Sequence, residues 1–259
     1  MERTDAIIHY HSPADREPAI YVDAGGVPGR LLFPALEARR VTLRNARLAS
    51  SAVNFERDGL AFVHSPTAVA DLRDEAQRAA YGHELEALLK AQTQALEVVV
   101  FDHTVRTEGE GERPPARHAH NDYNAVSAAQ RLLDVLGEER AQAWKEGHYG
   151  IVNVWRPIGA TVERAPLAFV RPESVRHEDW VNVDIVYPDR RGHVTGLLPS
   201  TAHEWVFWPR MTPDEVAIFR VADSAGKPPV AHSAVDPSDV APGAPTRVSL
   251  ESRVLVRYA

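Results

Sequence analysis

The chain has 259 residues, 44% hydrophobic and 25% charged, which is enough apolar material for one large globular domain. Its net charge of −7 provides no basic stripe of the kind that binding a phosphate backbone requires, so nucleic acid is not an expected partner. With no cysteine there is no disulfide, no thiolate zinc site and no cysteine nucleophile, and any metal must be held by nitrogen and oxygen.

No stretch approaches the roughly 18 apolar residues that span a bilayer. The opening "MERTDAIIHYHSPADREP" has neither the basic start nor the apolar core of a signal peptide, so no membrane contact and a cytoplasmic location are expected. Residues 67–95, rich in Ala, Leu, Glu, Gln and Arg with apolar positions three and four apart, predict one or two helices broken near Gly82. The pattern then turns to strand in "LEVVVFDHTVRT" and runs into a turn-rich loop, "EGEGERPP", at 108–115. After Asp122, the Ser-x-x-Gln spacing of "SAAQ" at 127–130 predicts a capping box. The helix that follows would bury Leu132, Leu133 and Leu136 and close at Gly137.

From residue 150 onward short strands dominate: "GIVNVWRPI", "LAFVRPES", "VNVDIVYP", "HVTGLL", "EWVFWP", "EVAIFRV" and "RVSLESRVLVRY". Many short strands after an early group of helices predict a mainly β (α+β) fold, a jelly-roll sandwich with flanking helices from the N-terminal half. The Pro- and Ala-rich stretch 223–246 reads as a long loop tied down at both ends. We read residues 1–259 as a single domain: 1–60 an N-terminal extension, 61–149 the helical support, 150–259 the jelly-roll strands.

The densest chemistry is in "RHAHNDY", where His118, His120 and Asp122 alternate. Side chains two apart on an extended chain share a face. Two imidazoles and one carboxylate on one face of an iron(II) ion leave positions open for a bidentate cosubstrate and for oxygen. His120 and Asp122 can supply two ligands, with His118 a neighbour. The third must come from a distant part of the chain; His232, which precedes the last strand, is preferred to His203. In that last strand Arg247 and Ser249 share a face with Glu251 and Arg253, and an arginine beside a hydroxyl can grip a carboxylate such as the far end of 2-oxoglutarate. Arg253 on the same face and Arg156 in "NVWRP" are the alternatives.

With these stretches in hand, the chain resembles the iron(II)/2-oxoglutarate-dependent oxygenases. The match is narrower to the subgroup of cephalosporin 7α-methoxylase component-like, gibberellin desaturase-like and aspergillic-acid hydroxylase-like enzymes. The stretches that carry it are "FDHTVR" (101–106), "HNDY" (120–123), "NVWRPI" (153–158), "YPDRRG" (187–192), "HEWVFWPRMTPDEVAIF" (203–219), "AHSAVDP" (231–237) and the closing "RVSLESRVLV". The resemblance covers roughly residues 55–259. It implies a double-stranded β-helix, iron(II) held by His120, Asp122 and His232, 2-oxoglutarate held partly by Arg247, and O2 as oxidant. Hydroxylation or desaturation of a small molecule, in secondary metabolism, would follow. Two other readings compete: a cupin-type metal dioxygenase or isomerase that does not use 2-oxoglutarate, and a non-catalytic ligand-binding jelly roll. Oligomeric state is left open.

Overall fold

The computed structural model describes residues 2–15, 17–27, 30–109 and 112–259. In chain order its strands are β1 Arg3–His11, β2 Ala19–Val22, β3 Leu31–Leu32, β4 Leu36–Asn45, β5 Leu60–His64, β6 Glu97–Thr107, β7 His120–Asn121 and β8 Tyr149–Pro157. They continue with β9 Leu167–Val170, β10 Trp180–Val186, β11 Arg191–Leu197, β12 Trp205–Phe207, β13 Glu215–Asp223, β14 His232–Ala234, β15 Asp236–Pro237 and β16 Val248–Arg257. The α-helices are α1 Phe55–Asp58, α2 Arg78–Thr93 and α3 Ala125–Lys145.

Alternation drives the architecture. In β8, β13 and β16 both faces are largely buried, so both are covered. These strands form the middle of a five-stranded sheet in the order β5-β13-β8-β16-β6. Its outer face, with Val152, Val154, Val216, Ile218, Leu250, Val254 and Val256, packs under α2, which buries Tyr81, Leu85 and Leu89 at four-residue spacing. Its inner face, with Ile151, Trp155, Ala217, Phe219 and Leu255, packs against Leu167, Phe169 and Val206 of the second sheet and against α3. The second sheet has eleven strands in the order β15-β1-β4-β12-β9-β14-β7-β11-β10-β2-β3. Two sheets packed face to face in this way form the jelly-roll, double-stranded β-helix expected from the strand pattern.

Several local expectations change. The helix around Gly82 does not break: α2 runs through it, with open space where a side chain would stand. The cap of α3 is Asn124, whose side chain accepts from Ser127 N while Ser127 reaches back to the Asn124 amide, so Ser127 is the third residue of the helix and not its cap. Gly137 takes φ +74°, which interrupts the helical backbone, but the helix resumes and ends at Lys145. The 223–246 loop contains the short strands β14 and β15. Residues 1–60 contribute β1–β4 to the larger sheet, with β1 paired to β4 along nine residues and β4 parallel to β12. The loop expected at 108–115 lies partly, at 110–111, outside the described residues. Among the described residues no helix is long and apolar enough to cross a membrane.

Candidate metal centre

The two-residue strand β7 sits between β14 and β11 and makes His120 the direct antiparallel partner of His232. Such partners bring Cβ atoms within about 5.5 Å, and here the ring centroids are 4.4 Å apart. Each ring is oriented by a carbonyl: His120 Nδ1 donates to His118 O at 2.8 Å, and His232 Nδ1 to Val230 O at 3.2 Å. A carbonyl can only accept, so Nδ1 carries a proton in each ring and Nε2 is the nitrogen left to face a cation. His232 Nε2 is buried and has no protein partner. His120 Nε2 lies 3.5 Å from Asp122 Oδ1, and among the described residues these three side chains place one ligand atom each within 4.8 Å of one another. Asn121, wholly buried and next to His120 in sequence, ties β7 to β13 by donating to Val221 O at 2.9 Å.

The electrostatics suit a cation. Burial pushes the His232 imidazolium down to about 4, helped by the neighbouring His120, so the ring is neutral at ordinary pH. Burial alone would raise the Asp122 carboxyl, but the Arg253 guanidinium and the two histidines hold it well below the usual carboxylate range. Asp122 Oδ2 accepts from Asn153 Nδ2 at 2.7 Å and from Arg253 Nε at 3.2 Å. Two imidazoles and an ionised carboxylate are a donor set that could hold iron(II) as a facial triad.

The same histidines line a cavity walled by Trp155, Leu167 and Glu251 and reached by two arginines, Arg106 and Arg247. Arg247 is 3% exposed and spends one nitrogen on Ala165 O, at 2.6 Å. Its Nε and Nη2, and the hydroxyl of the buried Ser249, have no protein partner. Burial and the nearby Arg106 push the Arg247 guanidinium down to about 9, against the opposing pull of Glu251. A carboxylate there would satisfy all three donors.

Not every sequence candidate reaches the cavity. Arg156 lies one residue past Trp155 on β8 and so points to the opposite face, where it donates to Tyr81 Oη at 2.8 Å, Pro213 O at 2.6 Å and Ser65 O at 2.7 Å. His203 is held by Asp179 at 3.2 Å and Tyr10 at 3.3 Å. The His118 ring stacks on that of His120, centroids 4.6 Å apart. The sequence reading missed Glu251 and Arg106 in the cavity wall and the contact of Arg253 with Asp122. Alternation along β16 places Arg253 on the correct face, but its partners come from register with other strands. His11, against His118 at 5.6 Å, was also missed.

A family model described as "Oxidoreductase/YMDC permease-like domain" matches residues 8–257. The chain is 30% identical to "Hydroxylase/desaturase CTB9" of Cercospora beticola over 228 residues, covering 77% of this chain and 70% of that protein. It is 26% identical to "Alpha-ketoglutarate-dependent dioxygenase tstK" of Talaromyces stipitatus, over 99% of this chain and 98% of that one. Among solved structures, "iron and alpha-ketoglutarate-dependent endoperoxidase NvfI" superposes with a TM-score of 0.90 at 25% identity, covering 100% of this chain and 99% of that chain.

Proposed function

The chain belongs to the Oxidoreductase/YMDC permease-like domain family, and from that membership together with the site we infer a non-haem iron(II) oxygenase. It couples 2-oxoglutarate decarboxylation to hydroxylation or desaturation of a small-molecule, secondary-metabolite substrate. The observation that carries this reading is a juxtaposition: His120 and His232 line one cavity with Arg247, whose Nε and Nη2 have no protein partner, and Asp122 brings a carboxylate oxygen within 4.8 Å of the two imidazole ligand atoms.

The residues fit the groups they would hold. His120 Nε2, His232 Nε2 and Asp122 would bind iron(II). Arg247 and Ser249 would take the far carboxylate of 2-oxoglutarate and so fix which end faces the metal. When bound, the iron and its keto acid supply the oxidation of an unactivated C–H bond by O2. The protein binds, orients and dries the site: Trp155 and Leu167 exclude water from the cavity, and Asp122 is kept ionised. Residues 1–259 act as one oxygenase domain in this reading, and dependence on reduced iron and a central-metabolism keto acid supports a cytoplasmic location.

The test is an anaerobic titration of the iron(II)-loaded protein with 2-oxoglutarate. A weak metal-to-ligand charge-transfer band that saturates with the keto acid is expected. Iron binding without any response to 2-oxoglutarate would favour a metalloenzyme that does not use it, and no iron binding a non-catalytic jelly roll.

A further inference from the structure

On the inner face of the five-stranded sheet the polar side chains fall in rows, because register places them side by side. Arg253 on β16 is the partner of Asp102 on β6 and of Asn153 on β8. The next row inward along β16 pairs Glu251 with Thr104 and Trp155. Asn153 and Arg253 both converge on Asp122, and both donate to the same atom, Oδ2. The other oxygen, Oδ1, is the one that approaches His120 Nε2. Arg253 has no freedom to follow a rotating carboxylate. Its Nη1 donates to Asp102 at 2.6 Å and to Thr104 Oγ1 at 3.2 Å, and its Nη2 to Glu251.

Glu251 matters separately, since it is a second buried carboxylate lining the cavity beside His120 and His232. Arg253 holds it, with Arg106 at 3.9 Å. One guanidinium therefore restrains both Asp122 and the cavity-lining Glu251.

We propose that Arg253 and Asn153 are positioning residues that make Asp122 a one-oxygen metal ligand, and that Arg253 also keeps Glu251 out of the coordination sphere. The inference rests on the iron reading above. Iron(II) held by one atom each of His120, Asp122 and His232 would keep positions open for a bidentate cosubstrate and for oxygen. A carboxylate that swung to bind through both oxygens, or a Glu251 released toward the metal, would close one of them. The clamp thus protects the room for cosubstrate rather than the metal bond itself.

The discriminating probe is oxalate, which chelates through two oxygens but has no far carboxylate for Arg247 and Ser249 to hold. Iron(II)-loaded, anaerobic protein is titrated calorimetrically with oxalate and with 2-oxoglutarate, after metal content and thermal unfolding of each variant have been measured. Arg253→Gln is expected to retain iron and to lose about tenfold or more in affinity for both ligands, the scale of losing a contact that orients a metal ligand. Arg247→Leu is expected to lose affinity for 2-oxoglutarate alone. Because Arg253→Gln leaves buried Glu251 with only the more distant Arg106 and could fail to fold, Asn153→Ala, which strands no charge, is measured alongside; a smaller loss of oxalate affinity is expected. If folded Arg253→Gln, or in its absence Asn153→Ala, binds oxalate as the parent does, the proposal is overturned while the iron reading stands. If the parent itself binds iron but neither ligand, or no iron at all, both fall.

Discussion

His120 and His232 face one another as direct partners across β7 and β14, and each ring is aimed by a backbone carbonyl two residues before it in sequence. Their relationship is set by strand pairing and by main-chain acceptors, so replacing either side chain need not disturb the fold. His120→Ala, Asp122→Ala and His232→Ala are each expected to stay folded and to lose more than the roughly 100-fold in metal affinity that mutation of an outer residue can cost. His118→Ala is expected to keep most metal binding, because the His118 group that orients His120 is its carbonyl and not its ring. His203→Ala is expected to do likewise. Iron stoichiometry by metal analysis decides; stoichiometric iron in His232→Ala would remove that residue from the ligand set.

Arg247 has three potential contacts for a carboxylate within a dry wall, counting Ser249. Removing a buried charge-assisted partner costs on the order of 2 to 5 kcal/mol, and about 1.4 kcal/mol is a factor of ten. Arg247→Leu should therefore weaken 2-oxoglutarate binding by roughly thirtyfold or more with iron affinity nearly unchanged, as read from the charge-transfer titration. Iron affinity falling in parallel would show that the substitution had disturbed the metal site as well.

Arg156→Leu separates the other arginine of the pattern from the site. Its guanidinium joins Tyr81 under α2 to two carbonyls on the outer side of the sheet. Stranding buried partners of a charged group costs about 3 kcal/mol or more. The expected outcome is a lower urea midpoint with 2-oxoglutarate affinity retained. The reverse pattern would place Arg156 at the cosubstrate.

Gly196 on β11 is the register partner of His120. A methyl group there would stand 2.2 Å from Cδ2 of His11, so either the ring or the strand must move. Overpacking of this kind costs about 1 to 3 kcal/mol. Gly196→Ala should lower stability and weaken metal binding through β7, and combining it with His11→Ala should recover part of the loss. A double-mutant cycle on unfolding free energy measures the coupling; strict additivity would mean the two sites do not conflict.

Burial pushes His11 down from 6.5 to about 4, helped by His120, and neither ring nitrogen has a protein partner. The unfolded chain binds this proton at higher pH than the folded one, so the stability contributed by the neutral ring is complete above about 6.5 and is lost as pH falls toward 4. Each unit of difference is worth about 1.4 kcal/mol. His11→Phe, which keeps a flat ring against Gly196, should make the metal-free protein's unfolding free energy fall less steeply between those pH values. An unchanged slope would show that other histidines carry the acid sensitivity.

Much of the site was legible because alternation is a local property. The two-residue period of "RVSLESRVLV" places Arg247, Ser249, Glu251 and Arg253 on one face, and the same rule applied to "NVWRP" separates Asn153 from Arg156. What alternation does not give is partnership. Arg253 meets Asp102 and Asn153 only through the register of three strands, just before a shift in the pairing of β16 with β6. The N-terminal strands escaped for the same reason. β4, "LEARRVTLRN", carries an exposed charged stretch, and with only Val41 and Leu43 turned to the core it is held as a strand largely by pairing with β1 and β12. Likewise β14 is three residues inside a Pro- and Ala-rich loop, too short to show a period.

The brevity of β7 and β14 has a kinetic consequence. Neither strand can form by itself, and each is seated only when β9 and β11 already flank the pair. A slip of one residue would turn His120 or His232 to the opposite face. Contacts between distant segments carry loop-closure entropy and so consolidate slowly. Capacity to capture iron should therefore emerge only once β9 and β11 have seated both short strands, so that partly folded chains present no preformed nest for stray metal.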